Sequence, residues 1–128
     1  MSDIKSKAIK IIIVEDEANL RLVMQKELQR LGYDVQAAPD GEAALKLLEE
    51  ANVDVILSDI NMPRMNGLEM IEVVKKEPQN AALPIIVLTS EGQPALIDRA
   101  KKAGAKGWIV KPFKADLLVA AVKKLLVA

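Results

Sequence analysis

Ile11-Ile12-Ile13-Val14-Glu15-Asp16 begins with four β-branched apolar residues and ends in two acids. β-Branched side chains are stiff at χ1 and favour strands. A run with no polar alternation suits a strand buried on both faces. Just downstream, residues 17–31 carry Leu20, Val23, Met24, Leu28 and Leu31 at helical spacing. Gly32 then stands where a left-handed residue closes a helix.

This strand-then-helix unit recurs along the chain. Tyr33–Ala38 alternates loosely and predicts a weaker strand. Pro39-Asp40-Gly41 is a turn, with Asp40 placed to cap a helix that runs through Leu48. Val53–Leu57 reads as a strand and residues 67–76 as a helix. Pro84 opens Ile85-Ile86-Val87-Leu88, again a strand of the fully buried type, and Pro94–Ala103 reads as a helix stopped by Gly104. Trp108-Ile109-Val110 is a short strand. Ala115–Leu126 is a final helix with Leu118, Ala121, Val122 and Leu125 on one side.

Strands alternating with helices of this length pair in parallel through right-handed crossovers. Asp34 and Gln36 mark the second strand as an edge. The expected fold is therefore α/β, a flavodoxin-like doubly wound (βα)5 domain. Its sheet has five parallel strands in the order 2-1-3-4-5.

The chain has 128 residues, one domain's worth of length, and residues 1–128 are expected to form a single domain. Hydrophobic residues make up 51% and charged residues 28%, which is a globular balance. Lys plus Arg and Asp plus Glu both number 18, so the net charge is +0 and lacks the basic excess of a nucleic-acid binder. Tyr33, Trp108 and Phe113 are too few aromatics for a base-stacking platform. There is no cysteine and no histidine. That excludes disulfides, thiolate metal sites, imidazole bases and histidine ligands. Chemistry is left to carboxylates, lysines, hydroxyls and backbone. Met1–Lys7 lacks the apolar core of a signal peptide. No apolar run approaches the ~20 residues of a membrane span, so a soluble, cytoplasmic protein is expected.

In a sheet of this kind ligands bind beyond the carboxyl ends of the strands. Those ends carry Glu15-Asp16, Ser58-Asp59, Thr89-Ser90 and Lys111-Pro112. Taken singly, each has an ordinary reading. Acids after a strand cap the next helix or face water, Thr89 fills a strand end, and Lys111 lies on the surface. Convergence changes this. Neighbouring strands are ~4.8 Å apart. Carboxylates ~5 Å apart repel by about 3 kcal/mol per pair at an effective dielectric near 20. Three such pairs approach the whole stability of a small domain. Lys111 neutralises one charge, and a hard divalent cation with oxygen ligands, most naturally Mg²⁺, takes the rest. A carboxylate beside Mg²⁺, a lysine and a hydroxyl is a set that attacks phosphorus and forms an acyl phosphate.

These motifs, in this order and at these intervals, resemble the receiver domain of two-component response regulators, and the resemblance spans essentially the whole chain. They are Val14-Glu15-Asp16-Glu17, then Ser58-Asp59-Ile60-Asn61-Met62-Pro63-Arg64-Met65-Asn66-Gly67, then Leu88-Thr89-Ser90, then Gly104–Phe113. The phrase from Asn61 to Glu69 is most similar to the single-domain chemotaxis type. The resemblance implies that Asp59 is the phosphoacceptor. It implies that Asp16, Asp59 and the Asn61 backbone carbonyl hold Mg²⁺, with Glu15 acting through a coordinated water. Thr89 and Lys111 would grip the phosphoryl oxygens, and the Lys111–Pro112 bond would be cis. Trp108 falls at an aromatic switch position that moves inward when Thr89 is drawn to the phosphoryl group. Asn61 and Glu91 would set the acyl-phosphate lifetime. Glu15 stands where many members have Asp, and Trp108 where Tyr or Phe is usual.

The function so implied is a phosphorylation-activated response regulator, not an enzyme beyond its own phosphorylation and dephosphorylation. A histidine kinase is the phosphoryl donor. A protein target binds the surface of the fourth helix, fifth strand and fifth helix, and a phosphatase opposes the kinase. Chemotaxis is the expected setting, with a monomer and no nucleic-acid or membrane partner. The runner-up is a receiver cut from a longer regulator, or a phosphorelay intermediate. The chain's ending at Leu125-Leu126-Val127-Ala128 favours the stand-alone form. A haloacid-dehalogenase-type phosphatase is the distant alternative. It requires Asp-x-Asp after the first strand, where Glu15-Asp16-Glu17 stands here. A flavodoxin-type flavin protein would need a Ser/Thr/Gly-rich phosphate cradle that this loop lacks. Met62, Met65, Met70 and Phe113 read as loop and core filler, and Lys101-Lys102 and Lys123-Lys124 as solvated helix faces.

Overall fold

The computed structural model describes residues 9–50, 52–60, 67–90 and 94–127. Strand β1 (Lys10–Val14) is followed by helix α1 (Ala18–Arg30), β2 (Asp34–Ala38), α2 (Gly41–Glu50) and β3 (Val55–Asp59). Then come α3 (Gly67–Lys76), a 3₁₀ turn (Pro78–Asn80), β4 (Ile85–Ser90), α4 (Pro94–Ala103), β5 (Gly107–Lys111) and α5 (Ala115–Val127). All pairings are parallel, and the sheet order is β2-β1-β3-β4-β5.

Strand side chains alternate faces, so an all-apolar strand feeds two cores. Ile12, Val14, Ile56 and Val87 pack with Ala44, Met70, Ile71 and Ala100, which belong to α2, α3 and α4. Ile11, Ile13, Leu57 and Leu88 pack on the other side with Met24 and Leu28 of α1 and Leu118 and Val122 of α5. Helices therefore cover both faces of the sheet. No described helix is long and apolar enough to cross a membrane.

Local chemistry sets the ends of the elements. The Glu17 carboxylate accepts from the backbone amides of Asn19 and Leu20, at 3.3 and 2.7 Å, and caps α1. At the other end Gly32 has φ +97. Its amide donates to Gln29 O at 2.9 Å and that of Tyr33 to Leu28 O at 3.3 Å, the paired bonds of a Schellman stop. Asp40 Oδ1 accepts from the Ala43 amide at 2.9 Å and caps α2. Gly104, with φ +124, ends α4.

Some expectations change. Val23 and Leu31 of the α1 stripe face solvent, because α1 lays only a narrow strip of its surface on the sheet. β3 begins at Val55 rather than Val53 and runs on through Ser58 and Asp59, while β4 reaches Ser90 and β5 reaches Lys111. Ladder bonds use backbone, so polar side chains do not end a strand. The 3₁₀ turn has no counterpart in the apolar pattern. Lys75 sits over it and donates from Nζ to the carbonyls of Asn80, Ala81 and Leu83 at 3.3, 3.1 and 2.6 Å.

Candidate functional site at the carboxyl ends of the strands

The parallel register delivers the polar strand ends to one edge. Asp59 pairs with Leu88, Thr89 with Val110 and Ser90 with Lys111. Glu15, one residue beyond β1, is 0% exposed, and Asp59 is 5% exposed. Asp16 is open to solvent, and one carboxylate oxygen from each of Glu15, Asp16 and Asp59 lies within 4.8 Å of the others. Thr89 is buried near the end of β4, one residue beyond Leu88, the ladder partner of Asp59.

Lys111 reaches across the site. Its Nζ lies 2.8 Å from Glu15 Oε1 and 3.0 Å from Asp59 Oδ2. The contact with Asp59 is a hydrogen bond. The one with Glu15 Oε1 is a short ion pair, and no other described donor reaches that oxygen. Glu15 Oε2 accepts from the Glu17 amide at 3.1 Å. Burial holds the Glu15 carboxyl above its usual range, against the pull of Lys111 and the Glu17 amide, with Asp59 adding to the rise. Burial alone would lower Lys111, but its close contacts with Glu15 and Asp59 outweigh this and hold the ammonium above its usual range.

Backbone ties fix the acid loop. The Glu15 amide donates to Ala38 O at 3.0 Å. From α1, Arg21 Nη1 donates to the carbonyls of Glu15 and Asp16 at 2.8 and 3.4 Å. On the opposite side α3 starts against β3. A Cβ on Gly67 would overlap the Asp59 carbonyl oxygen, and the Gly67 amide donates to Ile60 O at 2.8 Å. Arg21 and Gly67 escape sequence reasoning. Arg21 reads as an ordinary helix-surface cation, and the Gly67 contact spans two elements.

The Lys111–Pro112 bond is cis. Trp108 is 42% exposed, and Lys101 Nζ sits 4.3 Å from its ring centroid. Lys101 is thus more than a solvated cation. Asn61 and Glu91, with Met62 and Met65, lie outside the described residues.

The donor set is oxygen only, with three carboxylates against one ammonium. Such a set fits a hard divalent cation of the Mg²⁺ type and not a soft metal. Glu15 already has both oxygens engaged, by Lys111 and by the Glu17 amide. Asp16 and the second oxygen of Asp59 are the carboxylate oxygens that could meet such a cation directly.

A doubly wound parallel sheet with this acidic, cation-ready edge defines the receiver class of signalling domain. The chain belongs to the response regulator receiver domain family, whose pattern matches residues 11–123. It is 40% identical over 112 residues to the chemotaxis protein CheY1 of Helicobacter pylori, covering 86% of this chain and 90% of that protein. It is 34% identical over 119 residues to a probable chemotaxis protein CheY of Rhizobium etli, covering 92% of each. The structure of the chemotaxis response regulator CheY4 of Vibrio cholerae matches it with a TM-score of 0.88 at 37% identity, over 93% of this chain and 99% of that one. The family assigns phosphorylation-activated signalling and not classical enzymatic turnover. Receiver domains of this type take phosphoryl groups from histidine kinases and act on downstream targets.

Proposed function

We propose that this chain is a single receiver domain that accepts a phosphoryl group on Asp59 in a Mg²⁺-dependent reaction. It is then a cytoplasmic switch for a protein target, in chemotaxis as the names of its relatives suggest. The observation that carries this reading is the buried Asp59 carboxylate, within 4.8 Å of two further acids and hydrogen-bonded to Lys111 at 3.0 Å. Asp16, Asp59 and the Asn61 carbonyl would hold Mg²⁺, with Glu15 acting through water, and the ion would neutralise charge on the phosphoryl oxygens.

The chain's own residues do the rest. A carboxylate oxygen of Asp59 attacks phosphorus as the donor's P–N bond breaks. The electron pair leaves on the imidazole of the kinase. With acetyl phosphate the P–O bond breaks and acetate leaves. Lys111 moves its ammonium from the carboxylate to the incoming phosphoryl oxygens, and the Thr89 hydroxyl donates to another. Positioning and neutralisation are most of what phosphoryl transfer needs. Drawing Thr89 in makes room for Trp108, its diagonal neighbour on β5. The α4-β5-α5 face then changes its affinity for the target. Asn61 and Glu91 tune the loss of the phosphoryl group by water, and a phosphatase partner speeds it. The unliganded state is a monomer without nucleic-acid or membrane partners.

The test is incubation with acetyl phosphate and Mg²⁺, read by intact mass. The expected outcome is one phosphoryl adduct on the wild type, lost on chelation of Mg²⁺ and absent from Asp59→Asn. An adduct on Asp59→Asn, or none on the wild type, overturns the reading.

A further inference from the structure

Trp108 pairs with Val87 of β4, and Thr89 is the next residue but one along that strand. Side chains alternate along strands, so Trp108 and Thr89 project from the same face of the sheet. They are diagonal neighbours, about 8 Å apart by strand spacing and rise. That is the face on which Val87 packs against Ala100 of α4. In the last turn of α4, Lys101 places Nζ 4.3 Å from the Trp108 ring centroid. Both residues are exposed. The neighbouring Lys102 is engaged elsewhere, with Asp98 at 3.1 Å. An indole that turns inward leaves this ammonium behind, because a lysine head stays in water.

We propose that Lys101 is a positioning residue for Trp108. Its ammonium holds the indole outward and so sets the threshold at which occupancy of the Asp59 site draws the ring in. The inference rests on the switch reading of Trp108 given above. A cation over an exposed indole biases such an equilibrium by a factor of about two to five. Apparent affinity for anything that favours the inward state falls by up to the same factor.

The experiment uses the full chain, with Mg²⁺ and beryllium fluoride as a stable stand-in for the aspartyl phosphate. Trp108 is the only tryptophan, so its emission reports the ring alone. Three proteins are compared, the wild type, Lys101→Met and Lys101→Arg. All three residues have similar helix propensity, so α4 is kept. Lys101→Met is expected to saturate at about two- to fivefold lower beryllium fluoride. Its unliganded Trp108 should be less quenched by acrylamide. Lys101→Arg should restore both values, because a guanidinium also stacks on indole. Identical midpoints and quenching in Lys101→Met and wild type overturn the inference and leave the switch reading standing. So does a shift that Lys101→Arg fails to restore. A wild-type emission that ignores beryllium fluoride removes the switch reading, and this inference with it.

Discussion

Asp16 is the exposed member of the acid trio, and no described hydrogen bond or ion pair engages its carboxylate. Without divalent cations it only repels its neighbours. Asp16→Asn should therefore raise metal-free stability by about 1 kcal/mol, since exposure screens the repulsion. It should also lose the rise in melting temperature expected of the wild type with Mg²⁺, a difference that thermal unfolding with and without Mg²⁺ reads. Lys111→Gln works the other way. It strips the one ammonium from Glu15 and Asp59 and should cost about 2 kcal/mol in metal-free buffer. Mg²⁺ should recover much of that loss in the same melts. The convergence of Glu15, Asp16, Asp59 and Lys111 is legible in the sequence because each stands at a strand end, and parallel order fixes where those ends meet. The Arg21 bonds to the acid-loop carbonyls are not legible, because any polar helix position can bend back to backbone and composition does not say which one does.

At the scale of elements, two glycines make a paired test. Gly32 has φ +97 and open space around it, so Gly32→Ala carries only the backbone cost of a left-handed alanine, about 1 kcal/mol. Gly67 is different, because a methyl there meets the Asp59 carbonyl. Gly67→Ala should disturb the pocket as well as the fold, weakening the Mg²⁺ response by more than Gly32→Ala does at equal loss of stability. Melts of both variants against Mg²⁺ concentration separate the two effects. Gly32 and Gly104 are readable as helix stops because the signal is local and lies just past an apolar stripe. Gly67 reads only as a helix start, since its reason is the approach of α3 to β3. The 3₁₀ turn is hidden for a similar cause. It depends on Lys75, whose ammonium gathers three carbonyls. Lys75→Met should destabilise by about 1–2 kcal/mol in chemical denaturation.

For the whole molecule, the alternation of apolar strands with amphipathic helices implies a parallel sheet covered on both faces before any contact is known, and the order 2-1-3-4-5 is one that fits it. Ile11–Val14 and Ile85–Leu88 are apolar because two layers of helices cover them, and the polar Asp34 and Gln36 lie on the edge strand β2. Strand lengths are less legible, since the ladder continues under Ser58, Asp59 and Thr89 whatever their side chains. Any ligand that binds only the folded site stabilises the entire domain by mass action. Mg²⁺ with beryllium fluoride should therefore raise the melting temperature of the wild type and leave that of Asp59→Asn at its Mg²⁺-only value.

Lys111 and Asp59 meet across 52 residues of chain, and Glu15 joins them from the first strand. A nascent, truncated or half-denatured chain still contains Asp59 but has no ammonium opposite it. On the proposed reading, uptake of label from a small-molecule donor then requires the native arrangement. On that reading, the labelled fraction of a mixed preparation should follow the fraction that has closed its sheet, scaled by the loss of label to water.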